Sequence, residues 1–331
     1  MAGKPKVFLT RRIPTLGLDQ ITQQCDAEVW GEQMPPTYDL LKQKVADCHG
    51  LVSLLTDRID AGLLDAAPRL KVVSNYAVGF NNIDVAAATE RGVAVGNTPG
   101  VLTDATADMA FCLLIAAARR LVEGHLYGQQ GQWKTWEPLG HLGQDLVGRT
   151  LGIVGMGRIG YALARRCQRG WDMKVLYHDT FRNEKAELEL DAQQVDLDTL
   201  LRESDFVSVH TDLHEKTRGL FNRLAFQKMK PTAVFVNTAR GPIVVQADLI
   251  AALKAGTIFA AGVDVTDPEP PAPDSELFEL PNLVVAPHIA SATVGTRNAM
   301  ADICAKNLIA GLHGHKLPSW VNPDVESQRR R

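Results

Sequence analysis

The chain has 331 residues, of which 45% are hydrophobic and 22% charged, and a formal net charge of −3. That length suits two ordinary domains, and the near-balanced charge argues against nucleic-acid binding, since the only dense basic cluster is Arg329-Arg330-Arg331, expected to be a frayed tail. The longest apolar run, 109–118, is too short to span a bilayer, so no membrane association is expected.

Other exclusions concern compartment and metal. The N-terminal stretch is charged with only a short apolar run, so no secretory leader is expected. Five scattered cysteines (Cys25, Cys48, Cys112, Cys167 and Cys304) form no CxxC pair. They fit core packing in a reducing cytoplasm, and no metal site is expected.

In chain order, a β-rich run at 6–10 precedes a helical segment at 16–23. The rhythm repeats with strands at 28–30, 51–54, 71–74 and 93–95 and helices near 38–46, 61–66 and 83–90. Strands alternating with helices imply βαβ units and a mostly parallel sheet. Near Asn97-Thr98-Pro99-Gly100 the rhythm breaks, and one long helix is expected over 102–124, with Thr103 or Asp104 as its cap. The segment 128–148 lacks periodicity and holds Trp133 and Trp136, which suit either a subunit interface or the packing of a long connection.

A second series starts at 150. Strands are expected at 151–154, 173–177, 206–210, 233–236, 259–263 and 283–286, with helices at 198–203 and 246–255, then one long helix over 292–312. The first of these strands ends in Gly155-Met156-Gly157-Arg158-Ile159-Gly160 and runs into a helical pattern. This is the setting of a dinucleotide fingerprint: the first glycine allows the turn, the second lets backbone approach a pyrophosphate, and the third lets helix pack on strand. The N–H groups opening the helix then face the phosphates. Asp179 follows the next strand at about the expected spacing of 20 residues. A carboxylate there accepts from the ribose diol and repels a 2′-phosphate, which favours NAD. Arg182, three residues on, could pair with such a phosphate, so NADP stays open.

Because this fingerprint lies mid-chain, the dinucleotide domain is flanked on both sides. The final helix is expected to return and complete the first domain, giving two lobes with a cleft between them. The boundaries are 1–99 plus 289–331 for the substrate-binding domain and 100–288 for the dinucleotide domain. The expected fold class is α/β, with two doubly wound parallel-sheet (Rossmann-like) domains.

Three residues after expected strands can handle a carbonyl: Arg240, Glu269 and His288. Ligand crevices form past the carboxyl ends of strands. An arginine fork clamps a carboxylate and polarises the neighbouring carbonyl oxygen. A histidine can protonate that oxygen as hydride arrives, and a carboxylate beside it favours imidazolium. The set asks for a small 2-keto acid, reduced to the 2-hydroxy acid. His210 also ends a strand and is the nearest rival as proton donor, or else lines the cofactor groove.

The chain resembles the D-isomer-specific 2-hydroxyacid dehydrogenases over nearly its whole length. The likeness rests on Gly155-Met-Gly-Arg-Ile-Gly160, Met229-Lys-Pro, Val236-Asn-Thr-Ala-Arg-Gly241, Gly262-Val-Asp-Val265, Glu269-Pro270 and Ala286-Pro-His288. It implies that Arg240 is the substrate clamp, Glu269 the acid that supports the histidine, and His288 the proton donor. It further implies that Asp264 holds the nicotinamide carboxamide, and that Thr106, His210, Thr211, Thr238, Ala239, Arg240 and His288 join the fingerprint and Asp179 in binding the cofactor. The first half is most similar to glyoxylate/hydroxypyruvate reductases, through Asn75-Tyr-Ala-Val-Gly-Phe-Asn-Asn-Ile-Asp84, Val52-Ser-Leu-Leu-Thr56 and Val101-Leu-Thr-Asp-Ala-Thr-Ala-Asp108. By that likeness Val78 and Gly79 offer N–H groups to the substrate carboxylate, Leu55 walls the pocket, and Arg240 and His288 complete it. A homodimer is expected.

Two departures stand out. Many such reductases carry an Arg just after the second strand, where this chain has His178-Asp179-Thr180; and Asp212 replaces the usual Pro. The alternatives are a relative acting on another 2-hydroxy acid, of D-lactate or D-3-phosphoglycerate type, and a non-catalytic NAD-sensing protein. Glu269 speaks against a formate dehydrogenase, and Val78 against a phosphite dehydrogenase.

Overall fold

In the computed structural model, which describes residues 3–330, the chain divides into two compact units. The first joins 1–102 to 292–331 and the second is 103–291. Met1, Ala2 and Arg331 lie outside the described residues, so the charged start and the arginine cluster are each described only in part.

Unit 1 is a five-stranded parallel sheet. Its strands are β1 (Lys6–Leu9), β2 (Asp26–Val29), β3 (Gly50–Ser53), β4 (Val72–Asn75) and β5 (Ala94–Gly96), and they pair in the order β2-β1-β3-β4-β5. Helices α1 (Thr15–Gln24), α2 (Tyr38–Val45), α3 (Ala61–Ala66) and α4 (Val85–Glu90) connect them. Strands β3, β4 and β5 are buried along their whole length, as a sheet covered on both faces requires. Thr37, Asp60 and Asp84 cap α2, α3 and α4 with side-chain hydrogen bonds.

Unit 2 opens with α5 (Thr103–Ala118) and α6 (Leu121–Gln129), then an irregular stretch to β6 (Thr150–Val154). There follow α7 (Arg158–Trp171), β7 (Lys174–His178), α8 (Glu184–Leu190), β8 (Gln193–Gln194), α9 (Leu197–Glu203), β9 (Phe206–Val209), α10 (Arg223–Lys228), β10 (Val234–Asn237), α11 (Gln246–Lys254), β11 (Ala260–Val263) and β12 (Leu283–Val285). The sheet is parallel, in the order β12-β11-β10-β9-β6-β7-β8. The order reverses between β6 and β9, the switch point where such sheets open a crevice.

The last helix, α12 (Val294–Leu312), belongs to unit 1 and lies across its sheet. Gly17 of α1 meets it backbone to backbone, and a Cβ there would lie 2.3 Å from Ala301 O. Ser74 Oγ of β4 donates to Cys304 O.

Two expectations need correction. The single helix over 102–124 is two helices, broken at Arg120 with φ 52°. The N–H of Gln144 takes the Ala118 carbonyl that a continuing helix would have used, so the first helix stops there. The terminal arginines are not frayed as far as they are described. Arg329 donates to the carbonyls of His315 and Gly311, at the end of α12, and Arg330 donates to Ala67 O and Leu70 O. Guanidinium groups satisfy helix-end carbonyls well. Among the described residues no helix is long and apolar enough to cross a membrane.

Candidate active site

The glycine loop connects β6 to α7 with three glycines in three different situations. Gly155 has φ 96°, and a Cβ on it would lie 2.6 Å from Thr211 N and 2.7 Å from the His210 carbonyl carbon. The sequence-named His210 and Thr211 therefore pack on the first glycine. A Cβ on Gly160 would lie 2.2 Å from Gly155 O, so only glycine lets α7 start this close to the strand. Gly157 has nothing within 4 Å of such a position. It is also the N-cap of α7, with no side-chain cap, so the N–H groups there are left for an outside acceptor. That open face at the second glycine fits a pyrophosphate.

Asp179 follows β7 directly. Its Oδ2 accepts the Met156 N–H at 2.8 Å and its Oδ1 the Phe181 N–H at 3.2 Å. Asn183 Nδ2 holds Met156 O at 2.7 Å, so the second loop residue is pinned on both sides. Asn183 was not singled out from sequence, although an asparagine just before Glu184-Lys-Ala marks a helix cap, which it also is. Thr106, on α5, is buried. The Thr238 hydroxyl is buried and has no partner among the described residues, and a bound cofactor would supply one.

Past the ends of β10, β11 and β12 lie the chemistry-bearing residues. Asn237 orders the first loop: its Oδ1 accepts Ala239 N–H and its Nδ2 donates to Arg240 O. Gly241 then packs on the loop after β11, where a Cβ would fall 1.8 Å from Thr266 O. Arg240 Nη1 donates to Ala239 O at 2.7 Å. Burial lowers the Arg240 pKa, while the charges of Glu269 and Asp212 oppose that; the net direction is down. Asp212, the unusual residue, is thus an electrostatic neighbour of the arginine.

His288 Nδ1 meets Glu269 Oε1 at 2.5 Å, with side chains 25% and 33% exposed. A donor at Nδ1 leaves Nε2 as the nitrogen that can carry a transferable proton. Burial raises the Glu269 pKa, but His288, the Thr266 N–H and Arg240 outweigh it and hold the carboxyl below its usual value of 4.5. Buried Asp264 fixes the histidine from below. Its two oxygens accept Ile289 and Ala290 N–H, both at 2.8 Å, and its backbone carbonyl accepts His288 N–H. Each oxygen keeps a lone pair for another donor.

His210, the rival proton donor, differs in kind. Its Nε2 meets Ser208 Oγ at 2.9 Å and desolvation pushes its pKa down to about 3. It is neutral and, among the described residues, has no carboxylate partner of the kind that His288 has.

Unit 1 holds the remaining three named residues. Thr98 N–H bonds Ala77 O, and Asn97 Nδ2 bonds Val78 O. In trans peptides the following N–H points opposite, so Val78 and Gly79 N–H both face away from the 97–98 segment. Leu55 is 39% exposed. Among the described residues no group of three or more His, Cys, Asp or Glu is placed to hold a metal.

Several known proteins are similar to this chain. The D-isomer specific 2-hydroxyacid dehydrogenase, NAD binding domain, matches residues 111–290. The chain is 51% identical to the glyoxylate reductase of Korarchaeum cryptofilum, over 98% of each chain. A Thermus thermophilus protein of known structure superposes with a TM-score of 0.90 at 44% identity, over 96% of this chain and 99% of that one. The NADPH-dependent glyoxylate/hydroxypyruvate reductase of Sinorhizobium meliloti, solved with NADP and malonate, gives a TM-score of 0.84 at 31% identity, over 99% of each.

Proposed function

Because this chain belongs to the D-isomer-specific 2-hydroxyacid dehydrogenases, we propose that it reduces glyoxylate to glycolate at the expense of a reduced nicotinamide dinucleotide, with hydroxypyruvate as a second substrate. The observation that carries the reading is the 2.5 Å pair of His288 and Glu269, beside which Arg240 senses the Glu269 charge. The names of several relatives at about half identity, all glyoxylate reductases, support the choice of keto acid.

The dinucleotide, when bound, supplies the hydride. The chain's own residues do the rest. Arg240 clamps the carboxylate and polarises the carbonyl oxygen with its planar fork. His288 gives its Nε2 proton to that oxygen as carbon accepts the hydride, and Glu269, paired with Nδ1, holds the ring for that transfer. Gly155–Gly160 and the start of α7 cradle the pyrophosphate, and Asp264 accepts from the nicotinamide carboxamide. Thr106, His210, Thr211, Thr238 and Ala239 line the cofactor. Val78 and Gly79 donate their N–H groups to the substrate carboxylate, with Leu55 as an apolar wall. The unit with the glycine loop is the dinucleotide domain and the other the substrate domain.

Asp179 makes NAD the preferred cofactor, since its carboxylate suits a ribose diol and opposes a 2′-phosphate. The protein works in the cytoplasm, a reading that the five free thiols support, and it works as a homodimer. Steady-state kinetics on a panel of 2-keto acids with NADH and NADPH test these choices. Turnover of glyoxylate with NADH preferred is the expected result, and NADPH preferred would remove the argument from Asp179.

A further inference from the structure

A 2′-phosphate needs a cation, and the first Lys or Arg after the end of β7 is Arg182. Its guanidinium is already engaged: Nε donates to Glu187 Oε2 at 2.8 Å and Nη2 reaches the same oxygen at 2.5 Å. Glu187, on α8, is held in turn. Its Oε1 accepts the Tyr177 hydroxyl at 2.7 Å, and that tyrosine is fully buried in β7. The Asn183 N–H donates to the same hydroxyl at 2.9 Å. The Glu187 side chain is 20% exposed, against 66% for Arg182.

The asymmetry matters physically. A floppy surface pair is weak and yields readily to a competing anion. Here one partner is anchored on a core residue, so the carboxylate stays where it is and the guanidinium is drawn toward α8. The titration directions agree with that: the Arg182 hydrogen bond, then Tyr177, holds Glu187 below its ordinary range, and Glu187 raises Arg182.

We propose that Glu187 is a cofactor-selecting positioning residue. By holding and neutralising Arg182, it leaves a 2′-phosphate facing the Asp179 carboxylate without Arg182 as a counter-ion. The ligand class discriminated is the adenosine nucleotide with or without a 2′-phosphate. The proposal rests on the reading that places the adenosine ribose at Asp179, and it adds that replacing Asp179 alone gives an incomplete switch.

The test is calorimetric titration of the full chain with 5′-AMP and 2′,5′-ADP, which needs no turnover. The parent should bind 5′-AMP the more tightly. In Glu187→Gln, which keeps an acceptor for Tyr177, the ratio of the two dissociation constants should move toward 2′,5′-ADP by about two- to fivefold, the size of one solvent-screened contact at an exposed guanidinium. Arg182→Gln alone should leave the parent ratio unchanged, because that cation is already neutralised. The double variant Arg182→Gln/Glu187→Gln should lose the gain. A gain that survives in the double variant, or a weaker 2′,5′-ADP in Arg182→Gln alone, overturns the proposal. So does an unmoved ratio in Glu187→Gln while Asp179→Ala shifts it, with the ribose reading intact. If Asp179→Ala also leaves the ratio unmoved, that reading falls and takes the proposal with it.

Discussion

His288 has φ 53°, a left-handed conformation that costs a non-glycine residue roughly 1–3 kcal/mol. The cost is met by Asp264, whose carboxylate and carbonyl accept three consecutive N–H groups, those of His288, Ile289 and Ala290. A histidine so held presents one ring nitrogen to Glu269 and the other outward. His288→Ala should therefore lower kcat by about 10²- to 10⁴-fold, the usual worth of a placed general acid, while NADH still binds in a fluorescence titration. Unchanged turnover would remove His288 as the donor. Arg240→Lys keeps a charge and loses the fork. Its kcat/KM for glyoxylate should fall about 10- to 150-fold, as loss of a charge-assisted bond costs about 1.5–3 kcal/mol, and a normal kcat/KM would contradict the clamp. Glu269 titrates below its ordinary 4.5 in the folded chain. A depressed carboxylate adds stability above the unfolded value, and that contribution is lost as pH falls through the folded value. Urea midpoints of Glu269→Gln should thus lie below the parent's near neutral pH, and the gap should shrink as pH falls below the ordinary carboxylate value of 4.5. A gap constant with pH would mean that the carboxylate is not the stabilising partner.

At the scale of elements, the glycine loop separates two kinds of constraint. Gly160 is required by packing, because its Cβ would collide with Gly155 O, whereas Gly157 faces open space. Gly160→Ala should destabilise the fold by about 1–3 kcal/mol. Gly157→Ala should change stability by less than about 0.5 kcal/mol yet weaken NADH binding, measured by urea denaturation and nucleotide titration side by side. A Gly157→Ala protein that binds NADH like its parent would leave the second glycine unexplained. The β6–α7 unit was legible from sequence because glycine spacing and the apolar run are local signals. Arg240, Glu269 and His288 could be read from position only as candidates following strands, with His210 as a rival, and the family resemblance chose among them. What was not legible depends on distant partners. The break at Arg120 depends on Gln144, and the anchoring of Arg330 depends on Ala67 and Leu70, far away in the chain. The pinning of Met156 by Asn183 had a visible cap signal, but its second hydrogen bond comes from folding alone.

At the scale of the molecule, the chain order of the two units follows from α12, which starts after the last strand of unit 2 and packs in unit 1. The irregular stretch between α6 and β6 leaves Trp133 72% and Trp136 81% exposed, with Leu139 and Leu142 also outward. Isolated exposed apolar residues are ordinary, but a run of this size is where a partner would pack in the proposed homodimer. A second copy of the chain is the expected cover, and sedimentation should show a dimer that Trp133→Ser/Trp136→Ser shifts toward monomer. A parent that sediments as a monomer at micromolar concentration would contradict this. The central claim, reduction of a small 2-keto acid by the Arg240, Glu269 and His288 set, is tested most directly by mixing the purified protein with NADH and glyoxylate and following NADH absorbance together with the glycolate formed. The account predicts one glycolate for each NADH consumed, and a loss of both signals in His288→Ala. NADH and NADPH left unconsumed with glyoxylate, hydroxypyruvate and the wider keto-acid panel would contradict it.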